Sequence, residues 1–317
     1  MKQRRLGESG LVVSVVGLGC NNLGRPGTAT EDAPGTRAVV DAALEAGVTL
    51  FDVADVYGSP RGRSEELLGE ALAGRREQAI IATKFGAPMN GANGPDFDAR
   101  GSRRYVRRAV ESSLRRLRTD WIDLYQLHTP DAGTPIEETL SALDDLVRDG
   151  LVRYVGHSNF TGWQVADADW TARSRGFTRF VSAQNHWSLL ERDVEREVVP
   201  ACARFGLGML PYFPLASGLL TGKYSADAPP PAGTRLASNA QRLAAAPWDR
   251  IEALRTVAEK AGVTMLDVAI GGLAAQPTVS SVIAGATTPD QVRANAAAGA
   301  WEPDEDALAA IDAAAPR

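Results

Sequence analysis

Side chains able to do acid–base chemistry stand just past three separate strand-like runs. Val48 to Phe51 stops at Asp52, with Tyr57 five residues on; Ala79 to Thr83 stops at Lys84; Leu124 to Leu127 stops at His128. A buried strand seldom ends on an unpaired charge, because that charge is costly or moves its pKa. Carboxylate, phenol, ammonium and imidazole together suit general acid catalysis. A phenol, with a pKa of about 10 in water, is a weak donor at neutral pH; a neighbouring ammonium favours phenolate and lowers that value. A carboxylate keeps the ammonium charged and oriented, and the histidine can bond a carbonyl oxygen or share the proton. These are the parts for proton donation beside a hydride donor, with no side-chain nucleophile. Taken singly they also have plainer readings. Asp52 and Lys84 fit an ordinary buried ion pair, and Asp55 a turn or cap residue.

These residues can meet only if the fold gathers the strand ends. Val15 to Gly19, Thr49 to Asp52, Ala79 to Lys84, Leu124 to His128, Val152 to Ser158, Arg179 to Asn185, Gly208 to Pro214 and Ser280 to Ala284 read as strands. Helical spacing covers Arg37 to Ala46, Ser64 to Gly74, Arg103 to Arg118, Ile136 to Asp149, Thr161 to Arg175, Arg192 to Phe205 and Pro289 to Ala298, with Gly47 and Gly150 as stops. The alternation predicts a closed parallel (β/α)8 TIM barrel, one domain over residues 1–317. A doubly wound open sheet would want a Gly-rich phosphate fingerprint after the first strand, and Gly17-Leu-Gly19-Cys-Asn-Asn-Leu-Gly24 does not supply the spacing. Leu6 to Gly10 predicts an N-terminal β-hairpin, and Ala307 to Ala315 a terminal helix. Three Gly- and Pro-rich stretches, residues 25–34, 86–101 and 224–247, follow strand ends on the face where barrel sites lie. They read as lids over the site or as plain surface loops. In a barrel the strand ends would bring Asp52, Tyr57, Lys84, His128, Ser158, Asn159, Gln184, Asn185, Tyr212 and Gly285 to one pocket.

The chain has 317 residues, 44% of them hydrophobic and 23% charged, enough for a large core. A net charge of −5 argues against nucleic acid as the main partner. With only Cys20 and Cys202, a disulfide framework or cysteine-rich metal site is excluded, which suits a reducing cytosol. Met1 to Arg5 followed by Leu11 to Cys20 has a signal-peptide outline, but Glu8-Ser9-Gly10 interrupts it, so a cytoplasmic location is expected. No run reaches the roughly 18 apolar residues of a membrane span. The sequence is silent on oligomeric state.

Over nearly its whole length the chain resembles the aldo-keto reductases. The carriers are Gly47-Val-Thr-Leu-Phe-Asp52-Val-Ala-Asp-Val-Tyr57-Gly58, Ala82-Thr-Lys84-Phe-Gly, Asp120-Trp-Ile-Asp-Leu-Tyr-Gln-Leu-His128, Gly156-His-Ser158-Asn159-Phe160 and Tyr212-Phe-Pro-Leu-Ala-Ser-Gly-Leu-Leu-Thr-Gly-Lys223. The resemblance implies hydride transfer from NAD(P)H to an aldehyde or ketone, with Tyr57 as general acid/base, Lys84 and Asp52 tuning it, and His128 orienting the substrate. It implies a nicotinamide clamp of Ser158, Asn159 and Gln184, with Cys20, Asn21 and Asp52 near the cofactor. Tyr212 would stack on the nicotinamide, while Phe213, Pro214, Leu215, Ala216 and Gly218 wrap the pyrophosphate. Asn22, Tyr57, His128 and Trp187 would line the substrate pocket. Gly285, Thr287, Gln291 and Asn295 look like the adenosine segment of the branch that includes potassium-channel β subunits, where many reductases carry Lys and Arg at the positions of Gly285 and Gln291. Lys223 and Arg235 could supply the missing charge to a 2′-phosphate, which favours NADPH over NADH. A cofactor-loaded regulatory subunit with little turnover is the alternative; His128, lost in that branch's regulatory members, favours an enzyme.

Some residues depart from the family pattern. Phe213 stands for a usual serine, Trp187 for a tyrosine and Ala294 for an acid. His157 and His186 stand for a small aliphatic and an acidic residue. With His128 they invite a metal-hydrolase reading, but strand alternation turns His157 outward if Ser158 faces the pocket, so no metal site is expected. Ser158-Asn159 read alone would be a helix N-cap, and Tyr212 barrel packing.

Overall fold

The computed structural model describes the whole chain except residues 232, 233, 235, 238 and 239. Among the described residues, parallel strands β3 (Val16–Gly19), β4 (Leu50–Asp52), β5 (Ile80–Phe85), β6 (Ile122–Leu127), β7 (Val152–Ser158), β8 (Ser182–Gln184), β9 (Gly208–Met209) and β10 (Val282–Gly285) form one sheet. It runs in chain order from β3 to β9 with β10 beside β3. Parallel bridges Met209–Val279 and Tyr212–Ile283 bring the last edge round to the first, so the sheet curls into the expected (β/α)8 barrel. Strands β1 (Gln3–Arg5) and β2 (Val12–Ser14) make the predicted hairpin, anchored where Glu8 N donates to Gly206 O at 2.9 Å.

Period-two alternation sorts the strand residues between two cores. Leu50, Ala82, Leu124, Leu210 and Ile283 pack with Leu6 and Val13 of the hairpin inside the barrel. Phe51, Ile81, Phe85, Tyr125, Val155 and Ala183 instead join the larger core under the helices. Asp52, Lys84 and Gln126 share the parity of the interior set, so the apolar plug at the hairpin end gives way to polar side chains at the other.

Helices α1 (Ala33–Glu45), α2 (Arg63–Ala71), α3 (Arg103–Leu117), α4 (Ile136–Arg148), α5 (Gly162–Arg175) and α6 (Val194–Phe205) follow successive strands. Helix α1 starts four residues before the expected Arg37 because Asp32 caps it, accepting from Gly35 N at 3.0 Å, and Pro34 is harmless in a first turn. Ser64 does not cap α2: its hydroxyl donates to Cys20 O at 2.7 Å, and the helix is entered through Gly62 at φ 89°. Helix α5 is capped by Thr161 rather than Ser158. Within and beyond the third long stretch lie α7 (Ala240–Ala244), α8 (Trp248–Ala261) and α9 (Met265–Ala274), to which the sequence reading assigns no elements. Helices α10 (Pro289–Ala298) and α11 (Glu305–Ala314) end the chain. Among the described residues no helix is long and apolar enough to cross a membrane.

Candidate active site

At the carboxyl ends of the strands Lys84 is fully buried, and its ammonium has three donors to place. They go to Asp52 Oδ2 at 2.8 Å, Val53 O at 3.0 Å and Tyr57 Oη at 3.4 Å. The other Asp52 oxygen, Oδ1, accepts from Gln184 Nε2 at 2.7 Å, so both carboxylate oxygens are held. Burial opposes the charge on Lys84, but Asp52 and the phenol outweigh it and raise the lysine above its ordinary range. Tyr57 stands on a tight turn. Gly58 follows at φ 89°, where a Cβ would meet Ser64 N at 2.7 Å, so only glycine lets the chain turn there.

The expected lowering of the Tyr57 pKa is not what the structure produces. Burial pushes the phenol up, Lys84 pulls it back, and Asp52 cancels part of that pull, leaving Tyr57 above its ordinary value. The phenol is therefore protonated and able to donate at neutral pH, and Lys84 restrains the rise. His128 stands edge-on to Tyr57, ring centroids 5.8 Å apart. Burial, then the Lys84 charge, lowers its pKa to about 3, so the ring is neutral and does not share a proton as a cation. Its Nδ1 is sealed without a partner, which leaves Nε2 to meet a ligand.

A cleft of about 880 Å³ opens over this cluster, a size suited to a dinucleotide-type ligand. Asp52, Tyr57, His128, Ser158, Asn159, Gln184 and Tyr212 all face it, as do Asn21, Asn22, Phe213, Pro214, Leu215, Gly218, Lys223, Gly285, Thr287, Gln291 and Asn295. Asn159 is a hub: its Nδ2 donates to His128 O at 2.9 Å and its Oδ1 accepts from Tyr212 Oη at 2.8 Å, which pins that ring. Ser158 donates to Gln184 O at 2.7 Å. Gln184 spends its Nε2 on a hydrogen bond to Asp52, which the expected clamp role does not include.

Besides the buried Lys84, four expected positions fall outside the cleft; one, Asn185, is buried with Nδ2 donating to Phe160 O at 3.0 Å. Trp187 is buried in the main core with Nε1 donating to Glu195 at 3.0 Å, so it does not line a substrate pocket. Cys20 is fully buried against α2, and Ala216 is turned into the core by the left-handed backbone at Ala216-Ser217-Gly218, φ 47°, 62° and 102°. Ser217 and Gly218 face the cleft instead. Arg235 lies outside the described residues. Arg25, Thr28, Thr221 and Leu266 line the cleft without having been singled out; the first two sit in a stretch marked as a lid, Leu266 on the unassigned α9.

The cleft's far end fits a nucleotide on structural grounds. At Gly285 a Cβ would approach Asn22 Nδ2 to 3.2 Å, so glycine keeps the floor open. Thr288 caps α10 and Gln291 accepts from Thr287 N at 2.8 Å, which places a helix N-terminus, favourable to phosphate, at the rim. Lys223 adds a cation.

The remaining histidines are not gathered at this site. His186 stacks flat on Tyr212, centroids 5.5 Å apart. His157 points outward, stacked on Phe160 with both ring nitrogens unpartnered, and burial lowers its pKa from 6.5 to about 3. Between those two values the unfolded chain binds the proton and the folded chain does not, so stability falls as pH falls through that window. His157→Phe is expected to raise the urea midpoint more at about pH 5 than at pH 7, by the equivalent of about 2 kcal/mol. Any packing cost would appear equally at both pH values, and an equal change at both would remove the proton linkage.

Residues 15–316 match the model of the aldo/keto reductase family. The chain is 38% identical over 299 residues to the uncharacterized oxidoreductase YrpG of Bacillus subtilis, covering 92% of this chain and 89% of that protein. It is 35% identical over 310 residues to a probable voltage-gated potassium channel subunit beta of Oryza sativa, covering 93% and 90%. To probable aldo-keto reductase 1 of Glycine max it is 40% identical over 221 residues, covering 69% of this chain and 61% of that protein.

Proposed function

The chain belongs to the aldo/keto reductase family, a family of oxidoreductases that act on small carbonyl compounds with nicotinamide cofactors; from that footing we propose that it reduces an aldehyde or ketone to the alcohol, reversibly, with NADPH and with Tyr57 as proton donor. The observation that carries the reading is the fully buried Lys84, its three donors spent on Asp52, Val53 O and Tyr57. A lysine so placed cannot reach a ligand; it can only hold the phenol at a fixed point and limit how far burial raises its pKa.

When bound, the nicotinamide supplies the hydride. Neutral His128 donates from Nε2 to the substrate carbonyl oxygen, orienting it and polarising it. Tyr57 gives that oxygen its proton as negative charge develops there, and in the reverse direction the phenolate takes it back. Asn159 holds Tyr212 by its hydroxyl, which supports that ring as the flat surface for the nicotinamide. Asp52 keeps Lys84 charged and touches no substrate.

The preference for NADPH rests on Lys223 and on the α10 N-terminus, each of which borders the cleft and suits a 2′-phosphate. Lys223→Ala is expected to weaken NADPH binding about tenfold by fluorescence titration, the scale of one charge-assisted contact. NADH should be little affected, and equal loss of both would place Lys223 on the pyrophosphate.

The whole reading is tested by following consumption of the reduced nicotinamide with a panel of aldehydes and ketones. The potassium-channel relative motivates a second reading, a cofactor-loaded subunit with little turnover. Tight NADPH binding with no consumption on any carbonyl would favour it.

A further inference from the structure

Asp55 lies three residues beyond Asp52 and two before Tyr57, yet no step above uses it. Its contacts with Asn93, and the nearby charges of Glu65 on α2 and Arg116 on α3, place its side chain outside the barrel beneath those helices, where it is fully buried. Asn93, from the stretch between β5 and α3, donates from Nδ2 to Asp55 Oδ2 at 2.8 Å. Asn93 Oδ1 accepts from Arg116 Nη1 of α3 at 3.2 Å. Arg116 Nε donates to Glu65 Oε2 of α2 at 2.7 Å, and Glu65 Oε1 accepts from Thr83 of β5 at 2.6 Å. Asp55 is thus the terminus of a buried polar chain that joins two helices, a strand and a long loop. Its backbone N–H also donates to Lys84 O at 3.2 Å.

We propose that Asp55 is a positioning residue: held by Asn93, it fixes the turn between Asp52 and Tyr57 and so sets the distance from the Tyr57 phenol to Lys84. The inference rests on the reading of Tyr57 as proton donor. Of the three Lys84 hydrogen bonds, that to Tyr57 is the longest, 3.4 Å against 2.8 and 3.0 Å, so it is the one a small movement of the turn would break. Hydrogen-bond range is narrow, and a misplacement of about 1 Å can cost about 100-fold in rate.

The surroundings also disfavour a charge on Asp55. Burial, then the charge of Glu65, raises its pKa well above the carboxylate range, against the opposing pull of Arg116 and Asn93. Its Oδ1 and the buried hydroxyl of Tyr125 on β6 find no hydrogen-bond partner among the described residues, and a negative charge on Asp55 would act on Tyr125 and on Tyr105 of α3. Asparagine keeps an oxygen to accept from Asn93 and carries no charge, which separates this role from that of an ion-pair member.

The test compares Asp55→Asn, Asp55→Ala and Asn93→Ala in the full chain. Asp55→Asn is expected to keep kcat within about threefold of wild type. Asp55→Ala is expected to lower it about 10- to 100-fold. KM for the carbonyl and Kd for NADPH should move little in either. Should Asp55→Ala not fold, Asn93→Ala carries the same comparison through the other partner. A crystal structure of the alanine variant should show Tyr57 Oη beyond hydrogen-bond reach of Lys84 Nζ while the bond from Lys84 to Asp52 remains. That readout holds whether or not the wild type reduces any carbonyl tried. The proposal is overturned if the Tyr57–Lys84 hydrogen bond survives with kcat unchanged. It also falls if Asp55→Asn is as damaging as Asp55→Ala, or if kcat falls only in step with cofactor affinity. An inactive wild type whose alanine variant still moves Tyr57 away from Lys84 would instead overturn the proposed reaction.

Discussion

Tyr57→Phe is expected to lower kcat for carbonyl reduction by about 10²- to 10⁴-fold, the range for loss of a general acid. The substitution removes one oxygen from a ring that the fold already holds. Among the described residues Tyr57 Oη makes a single hydrogen bond, to Lys84 Nζ, and that lysine keeps its bonds to Asp52 and Val53 O. The ring keeps its edge-on packing against His128. Little in the scaffold therefore depends on the hydroxyl, and Kd for NADPH and the melting temperature should stay close to wild type. Single-turnover mixing with preloaded NADPH separates the two quantities. Parallel loss of binding and turnover would make the phenol a structural group and remove it from the chemistry.

Lys84→Met should be worse in a different way. It removes the countercharge from Asp52, which is itself buried and keeps, among the described residues, only Gln184 as a side-chain partner. Breaking a buried pair by deleting one member typically costs about 3–5 kcal/mol. A fall in melting temperature should therefore accompany the loss of activity, in contrast to Tyr57→Phe. The pH dependence has a definite sign. Lys84 is the group that pulls the phenol down against burial, so without it the Tyr57 pKa rises further. Alcohol oxidation, which needs the phenolate, should shift its rising limb to higher pH. Residual reduction, which needs the phenol, should keep its plateau to higher pH as well. An unchanged oxidation profile in Lys84→Met would mean that Lys84 only supports the fold.

Much of the site was legible because a strand has a period of two. Once Leu50, Ala82 and Leu124 are read as inward, Asp52, Lys84 and Gln126 must follow, and His157 must turn outward beside Ser158. The span of α5 was legible from its helical spacing, but not its cap, which is Thr161 with Gln164 rather than Ser158. Helix α1 was read short because Asp32-Ala-Pro-Gly looks like loop until the Asp32 cap is seen to bond Gly35. Trp187 was misplaced because a residue just past a strand end has no period to obey. Its indole follows a bond to Glu195, which sits eight residues on in α6. Helices α8 and α9 follow a stretch with weak periodic signal, and Leu266 entered the cleft unannounced with them.

What the sequence determined by itself is which strand residues point inward at the barrel mouth, since parity depends only on the local pattern of residues. The tertiary structure alone decided what those side chains do to one another. Lys84 could have lowered the Tyr57 pKa; whether it does depends on how deeply the phenol is buried and how much of the ammonium field Asp52 cancels at 2.8 Å. Asp55 is the turn residue that its sequence suggests; that Asn93 holds it, with Arg116 and Glu65 behind, was decided by the tertiary structure. Burial and pairwise charge are properties of distances between groups far apart in the chain, and no pattern along the chain encodes them.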